Sequence, residues 1–354
     1  MQRTNLSKDN GFFDIKPNPG KGLSGRFIFP PFSVFRTMDG EWMQRKRQWL
    51  ALGIESEVGR GGEESNKAMK PQNKLNKFQK TKKPSYGVDY AIGNKTQWEK
   101  GLLHKGQTIN TKDGEKWEGG RPAWQNTGTS IFDPVLSELM YAWFCPKGGQ
   151  VVDPFAGGSV RGVVAVYMGM KYWGSELRKE QVEANRGQGK KIAPDYPPEW
   201  VQGDAMQELR NAPDADFIFT CPPYGNLEVY SELEGGISNM PYEMFHDAYK
   251  RIIRKCCHKL KQNRFACFVV ANFRDKKTGF YYDLVGDTVK AFEMYGVHLY
   301  NEAILITATG SLPVRVGRQF AAGRKLGKTH QNVLIFYKGN PKLIKEIYNE
   351  QMEN

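Results

Sequence analysis

Between Thr129 and Tyr337, short apolar runs alternate with segments of helical periodicity, and this alternation restricts the architecture more than any other feature. The predicted strands are Val151–Val152, Tyr172–Glu176, Trp200–Asp204, Asp216–Thr220, Arg264–Asn272, Leu299–Thr307 and Gln331–Tyr337. The predicted helices are Asp133–Phe144, residues 160 to about Met168, Lys179–Arg186, Tyr242–Leu260 and Leu284–Met294. This spacing predicts a doubly wound, mostly parallel α/β sheet. The last two strands have no helix between them and are expected to pair antiparallel.

The run Asp216–Thr220 ends in Cys221-Pro-Pro-Tyr224. Proline has no N–H and fixes φ, so the strand should stop at Cys221, with Tyr224 held in a stiff turn. In an open α/β sheet, ligands bind at the carboxyl ends of the strands. Rigid carbonyl acceptors beside an aromatic face suit a flat, nitrogen-bearing ring such as an extruded nucleobase. Taken alone, the turn is equally consistent with Tyr224 packed in the core.

A second turn, Asp153-Pro-Phe-Ala-Gly-Gly-Ser159, lies between a predicted strand and a helix. Gly157 and Gly158 permit close backbone approach to a ligand. The turn matches neither the dinucleotide nor the P-loop pattern, and it contains no cation for a phosphate. Glu176, 19 residues after Gly157, ends the next strand and is placed to accept from ribose hydroxyls. Asp204 ends the third strand and could accept from an adenine amine, so a nucleoside without phosphates is the expected ligand.

Residues 129–337 resemble the exocyclic-amino DNA methyltransferases, which transfer a methyl group from S-adenosylmethionine to adenine N6 or cytosine N4. The turn at Asp153 resembles the family's D-P-F-x-G-x-G loop, and Cys221-Pro-Pro-Tyr224 resembles its (Asp/Asn/Ser)-Pro-Pro-aromatic turn. The resemblance implies a Rossmann-like methyltransferase fold, S-adenosylmethionine as cofactor and DNA as partner. The implied cofactor residues are Phe132, Asp153, Pro154, Phe155, Gly157, Gly158, Glu176 and Asp204. The implied catalytic residues are Cys221, Pro222, Pro223 and Tyr224.

The chain also resembles the methylases of phage and prophage genomes, including an amino-terminal stretch, FPPFSV followed by RKRQWLALGI. This resemblance implies a role in phage-borne or restriction-modification DNA methylation. RNA methylation, protein-glutamine methylation and a catalytically decayed nucleic-acid-binding module remain alternatives, and the oligomeric state is open.

Cys221 departs from the family pattern. A thiol is a weak hydrogen-bond acceptor, so activation of the amine by this side chain should be poorer than with Asp. Either a backbone carbonyl compensates or the enzyme is slow, and the target base, adenine or cytosine, stays open. A cysteine nucleophile of the cytosine-C5 type is disfavoured because the turn continues as Pro-Pro-Tyr.

Positive charge is concentrated in the first third of the chain. The net formal charge is +13, and residues 1–130 hold 23 Lys/Arg against 13 Asp/Glu, whereas the rest hold 28 against 25. Such asymmetry indicates a polyanionic partner. Residues 1–128 are therefore predicted to be a basic extension that contacts DNA, followed by a methyltransferase domain over 129–345 and a tail over 346–354.

Two basic segments are candidates for phosphate contact. Residues 66–83 contain seven lysines and no acid, including Lys74 and Lys77; a solvated linker is the alternative. The connection between the last two strands is predicted to be a long basic loop near the catalytic edge, with an ordinary surface loop as the alternative. Its candidate contacts are Arg315, Arg318, Arg324, Lys325 and Lys328.

The five cysteines lack paired metal-ligand spacing, which predicts neither a zinc site nor a disulfide framework. Nowhere do 18 apolar residues follow one another, and the amino terminus has no apolar signal region. We therefore expect a cytoplasmic protein, in a bacterium or phage-infected host cell, without a membrane segment or metal.

Overall fold

The computed structural model describes residues 22–54, 108–110, 116–118, 132–223, 242–275, 277–310 and 312–348. They fall into two compact units. The main unit holds the described residues of 22–54, 132–308 and 328–348, and the second holds those of 108–118 and 309–327. Tyr224, Lys74 and Lys77 lie outside the described residues, so the roles assigned to them stay predictions.

The strands of the main unit are β1 (Val34–Arg36), β4 (Gln150–Asp153), β5 (Lys171–Glu176), β6 (Glu199–Gln202), β7 (Ala215–Thr220), β8 (Leu260–Val270), β9 (Phe273–Arg274), β10 (Tyr281–Tyr282), β11 (His298–Ile306) and β12 (His330–Lys338). Its helices are α1 (Gly22–Phe27), α2 (Gly40–Ala51), α3 (Pro134–Phe144), α4 (Val160–Tyr167), α5 (Lys179–Ile192), α6 (Ala205–Glu208), α7 (Tyr242–Lys259), α8 (Leu284–Glu293), the 3-10 turn Pro341–Leu343 and α10 (Ile344–Tyr348). The second unit contributes β2 (Thr108–Asn110), β3 (Lys116–Glu118) and α9 (Leu312–Gly323). The elements predicted between 133 and 337 are present, with ends that differ by a few residues.

Eight of the described strands form one sheet in the order β1-β11-β12-β8-β7-β4-β5-β6. β12 is antiparallel to both of its neighbours, and the other pairings are parallel. This confirms the predicted Rossmann-like α/β fold with an antiparallel final strand. The order runs outward from β4 through β5 and β6 on one side and through β7 and β8 on the other. The junction between β4 and β7 is therefore the topological switch point, where open α/β sheets bind ligands.

Side chains of the central strands alternate between two apolar clusters. Phe217 and Phe219 of β7 join one cluster, in which Tyr141 of α3 meets Phe219 edge-on at a centroid distance of 5.4 Å. Ile218 joins the other cluster, together with Phe245 and Ile252 of α7. A strand covered on both faces must be apolar throughout, which explains the unbroken run in β7.

Residues 22–54 are part of the main unit, whereas the sequence analysis predicts that they belong to a separate extension ending at residue 128. β1 adds a parallel edge strand beside β11, with Val34 paired to Ile304. Trp42 and Trp49 of α2 are buried in the same cluster as β7. The sequence did not reveal this packing, because β1 has only three residues and its pairing partner, β11, lies far away in the sequence.

Two cations of α2, Arg45 and Lys46, are directed toward α3. Arg45 donates its Nε to Glu138 of α3 at 2.6 Å, and Lys46 donates to Asp133 at 3.0 Å. Both acids are buried, so these cations face the main unit and fasten α2 to α3.

The second unit corrects one further prediction. The basic connection before β12, expected as a loop, contains the helix α9. Leu312, Val316 and Phe320 recur at intervals of four residues along it. That helical period was obscured by the glycines around it.

None of the five cysteines forms a disulfide. Within the described ranges, no three His, Cys, Asp or Glu side chains cluster as a metal site would require. None of the helices described combines the length and apolar character needed to cross a membrane.

Candidate functional site

The turns that follow β4 and β7 leave the sheet side by side at the switch point. The two strands are parallel, with Val151 paired to Phe217 and Val152 paired to Ile218. Both carboxyl ends therefore reach the same edge. The structure thus brings together the two turns that the sequence analysis singled out, at least as far as Pro223.

Asp153 joins the two turns. Its Oδ1 accepts from Thr220 Oγ1 at the end of β7 at 2.6 Å and from the Phe155 N–H at 3.2 Å. Its Oδ2 accepts from Arg161 Nε at 2.7 Å and from Tyr172 Oη at 2.8 Å. The side chain is fully buried. Four protein donors thus occupy the Asp153 carboxylate, which holds the loop in place. A contact between Asp153 and the cofactor stays a prediction.

Arg161 of α4 is a buried cation that the sequence analysis missed. Its Nη2 donates to the carbonyls of Phe155 at 2.7 Å and Ala156 at 3.0 Å, and its guanidinium lies 4.4 Å from the Phe132 ring centroid. Burial opposes its charge, but the neighbouring Asp153 carboxylate outweighs that effect and raises the pKa of the guanidinium. The site thus does contain a fixed cation, although Asp153 neutralises it. As the single charged residue of an apolar helix, Arg161 could have been noticed.

The glycine turn is held by a chain of buried amides. Gly157 has a φ of +52°, in the region that favours glycine, and its carbonyl accepts from Asn185 Nδ2 at 2.8 Å. Asn185 Oδ1 accepts from Gln181 Nε2 at 2.8 Å, and Gln181 Oε1 accepts from Arg178 Nη2 at 2.9 Å. Gln181 and Asn185 are one helical turn apart on α5 and are buried. Polar residues at i and i+4 on the inner face of a helix were the sequence signal that could have found them.

Glu176 is the last residue of β5, and Asp204 lies two residues beyond the end of β6. Both carboxylates therefore lie at the carboxyl ends of neighbouring strands. Glu176 Oε1 accepts from the Arg178 N–H at 3.0 Å, with the Arg178 guanidinium 3.5 Å away. Asp204 Oδ1 accepts from the Met206 N–H at 2.9 Å and caps α6. The Gly203 N–H donates to the Glu176 carbonyl at 3.0 Å and links the two strand ends. A backbone N–H thus holds one oxygen of each carboxylate, and this contact sets the direction of the second oxygen.

Cys221 and Pro223 are partly exposed, whereas Pro222 is buried. The Cys221 thiol is close enough to Arg161 to influence the pKa of that guanidinium. Burial raises the pKa of Cys267 on β8 and of Tyr249 on α7, and the proximity of Cys221 adds to both increases. Cys221 packs against the apolar cluster that contains Phe219 of β7 and Cys267 of β8.

The predicted nucleic-acid contacts divide between the two units. Arg315 and Arg318 lie on α9, Arg324 and Lys325 directly follow it, and all four are exposed. Lys328 belongs to the main unit, where its ammonium donates to the Asn272 carbonyl at 2.9 Å. Its partial burial lowers its pKa.

Solved structures of several methyltransferases are similar to part of the chain. TrmN from Thermus thermophilus has a TM-score of 0.40 at 14% identity, over 58% of this chain and 49% of its own. A TehB-like SAM-dependent methyltransferase from Corynebacterium glutamicum has a TM-score of 0.36 at 16% identity, over 61% and 94%. A candidate DNA modification methylase, also from Thermus thermophilus, has a TM-score of 0.30 at 21% identity, over 39% and 52%.

The matched region thus spans about half the length of TrmN. Identities and TM-scores this low assign neither an activity nor a substrate to this chain. No protein-family model and no curated protein matches the sequence.

Proposed function

We propose that this chain is an S-adenosylmethionine-dependent methyltransferase that acts on an exocyclic amine of a base in DNA, adenine N6 or cytosine N4. One observation carries the proposal. The glycine turn after β4 and the Cys221-Pro-Pro turn after β7 adjoin at the switch point, and the 2.6 Å bond from Thr220 to Asp153 couples them. A donor bound at the first turn and a base bound at the second would lie next to each other.

The residues around the glycine turn fit a nucleoside without phosphates. Glu176 offers an oriented carboxylate for ribose hydroxyls, and Asp204 offers one for the adenine amine. The Arg161 charge is compensated by Asp153, and Phe132 lies beside that guanidinium. Gly157 gives the backbone its left-handed turn. When bound there, S-adenosylmethionine would supply an electrophilic methyl group on a sulfonium sulfur.

The Cys-Pro-Pro turn would activate the amine by accepting hydrogen bonds from its N–H groups. Methyl transfer would leave S-adenosylhomocysteine and release one amine proton to solvent. The lone pair of an exocyclic amine is delocalised into the ring, and two fixed acceptors for its N–H groups make the nitrogen more tetrahedral. The Pro222 carbonyl is one candidate acceptor and the group at position 221 is the other. Tyr224 is proposed to stack on the base. Orientation of the two reactants can lower the barrier by several kcal/mol.

Methyl transfer with radiolabelled cofactor tests the proposal. We expect label in duplex DNA, and we expect Tyr224→Ala to abolish transfer while calorimetric binding of the cofactor survives. Label in tRNA or in protein glutamine instead would reassign the substrate. A protein that binds DNA but not S-adenosylmethionine would be a decayed binding module.

A further inference from the structure

A short hairpin after β8 presents two exposed aromatic side chains. β9 and β10 pair antiparallel. Phe280, in the turn between them, is 78% exposed, and Tyr281, the first residue of β10, is 48% exposed. The hairpin begins three residues after β8 ends. Because β8 is the parallel neighbour of β7, the hairpin emerges at the same sheet edge as Cys221.

The hairpin is anchored from behind by aromatic packing. Tyr282 stacks on Tyr242 of α7 at a centroid distance of 3.7 Å, and Phe273 meets Tyr282 at 5.4 Å. Tyr242 in turn donates its hydroxyl to Asp287 of α8 at 2.8 Å. Two helices therefore hold the base of the hairpin and keep its tip away from the core.

The turn at the tip is ordered by its own hydrogen bonds. Asp275 accepts from the Lys277 N–H at 2.9 Å and from Thr278 Oγ1 at 2.7 Å. The Asp275 N–H donates to the Phe280 carbonyl at 2.9 Å. These bonds tie Phe280 to Asp275, and holding an exposed side chain in place lowers the entropy cost of using it as a contact.

Two cations lie near the Tyr281 ring. The Arg274 guanidinium lies 4.0 Å from the Tyr281 ring centroid, and the Lys328 ammonium lies 5.9 Å from it. Lys277 is exposed at the turn. Two acids flank this stretch of the chain: Asp275 is engaged in the turn itself, and Asp283 accepts from Asn272 Nδ2 and from the Gly286 N–H. Exposed aromatic faces among basic side chains are the combination that binds nucleic-acid strands.

We propose that this hairpin is a nucleic-acid contact, in which Phe280 stacks on a base and Lys277 meets a phosphate. The inference rests on the proposed function only in taking DNA as the partner. A single exposed Phe would be unremarkable on a protein surface. Its position next to Tyr281, at the same sheet edge as Cys221, favours contact with a DNA strand whose target base enters the site.

Binding of a duplex oligonucleotide that carries one unpaired 2-aminopurine tests this contact without requiring methyl transfer. We expect wild-type protein to quench the 2-aminopurine fluorescence through stacking. Phe280→Ala should lose the quenching and bind about tenfold more weakly, whereas Phe280→Trp should retain both. Lys277→Gln should reduce the slope of log K against log salt by about one.

Tyr196→Ala is the matched control. Tyr196 is 74% exposed but precedes β6, at the opposite edge of the sheet, so its removal should leave binding unchanged. Wild-type affinity and quenching in Phe280→Ala would overturn the hairpin contact and leave the proposed function intact. Failure of the wild type to bind DNA would overturn both. Self-association lost in Phe280→Ala, with DNA binding unchanged, would assign the surface to a second copy and also overturn the contact.

Discussion

At the scale of single residues, the site depends on the buried pairing of Asp153 with Arg161. Their 2.7 Å contact is inaccessible to water, and each partner makes further hydrogen bonds to the two turns or to the loop backbone. Removing one member of such a pair leaves a buried charge and costs about 3–5 kcal/mol. The pair therefore explains how a glycine-containing loop keeps one conformation.

Cys221 should be the reactive thiol of the protein. Burial raises the pKa of Cys145, Cys256 and Cys267 well above the usual range and that of Cys257 to about 12, so these thiols stay protonated. Cys221 alone among the five is partly exposed. Under limited iodoacetamide treatment, mass spectrometry should find one adduct, located on Cys221.

S-adenosylhomocysteine should slow that alkylation, because the Cys221 turn adjoins the proposed cofactor loop. Cys221→Ser is the control and should gain no adduct under the same treatment. Earlier modification of another cysteine would contradict the burial assigned here. Unchanged alkylation with saturating S-adenosylhomocysteine would contradict the adjacency of thiol and cofactor.

At the scale of elements, Asp216 fastens three strands at the amino edge of the sheet. It accepts from the Gln150 N–H of β4 at 3.0 Å and from Lys261 and Arg264 of β8 at 2.9 and 3.1 Å. Burial alone would raise the pKa of this carboxyl, but these hydrogen bonds outweigh it and lower the pKa below its usual 3.8. The ionised form therefore stabilises the fold.

Asp216→Asn should consequently lower the free energy of unfolding at pH 7, by about 1 kcal/mol because the lysine and arginine partners are partly exposed. A lowered pKa gives stability that is complete above the unfolded-state pKa and is lost as pH falls through the folded-state value. The difference from wild type in urea unfolding should hold from pH 7 to about 5 and shrink below about pH 4. Asp214→Asn, an exposed neighbour, is the control. A difference that grows in acid would contradict the assignment.

The attachment of α2 to α3 gives a second prediction at this scale. Glu138 is fully buried and accepts from both Arg45 and Trp49. Arg45→Met should destabilise the protein by about 3–5 kcal/mol, since the carboxylate loses its cation. In Arg45→Met with Glu138→Gln, the amide keeps an acceptor for Trp49, so most of that loss should be recovered in denaturant unfolding. If the two single effects simply add, the pairing is not what joins these helices.

The central elements were predictable because their signals are local. β7 is apolar on both faces and ends at two prolines, and α3 begins with Asp133 as N-cap followed by Pro134. β1 and the ion pair between α2 and α3 were not predictable, because both depend on distant partners: Val34 pairs with Ile304, and Arg45 pairs with Glu138. The positions of the two turns could thus be inferred. Arg161, Gln181 and Asn185 left local signals in the sequence, but the sequence did not show the groups with which they pair.

At the scale of the whole molecule, one sheet edge holds the features needed for the proposed reaction. The glycine turn, the Cys221-Pro-Pro turn and the aromatic hairpin follow three adjacent parallel strands, β4, β7 and β8. The excess of Lys and Arg over Asp and Glu, 51 against 38, suits a polyanionic substrate. Each feature by itself would be compatible with many functions. Their position at one sheet edge is the reason for proposing that the chain methylates nucleic acid.

Nucleoside mass spectrometry tests this account most directly. Duplex DNA incubated with the protein and deuterium-labelled S-adenosylmethionine would be digested to nucleosides and compared with a Tyr224→Ala reaction. We predict labelled N6-methyladenine or N4-methylcytosine with the wild-type protein and neither with the variant. Labelled 5-methylcytosine, or cofactor binding without any methylated nucleoside, would contradict the account.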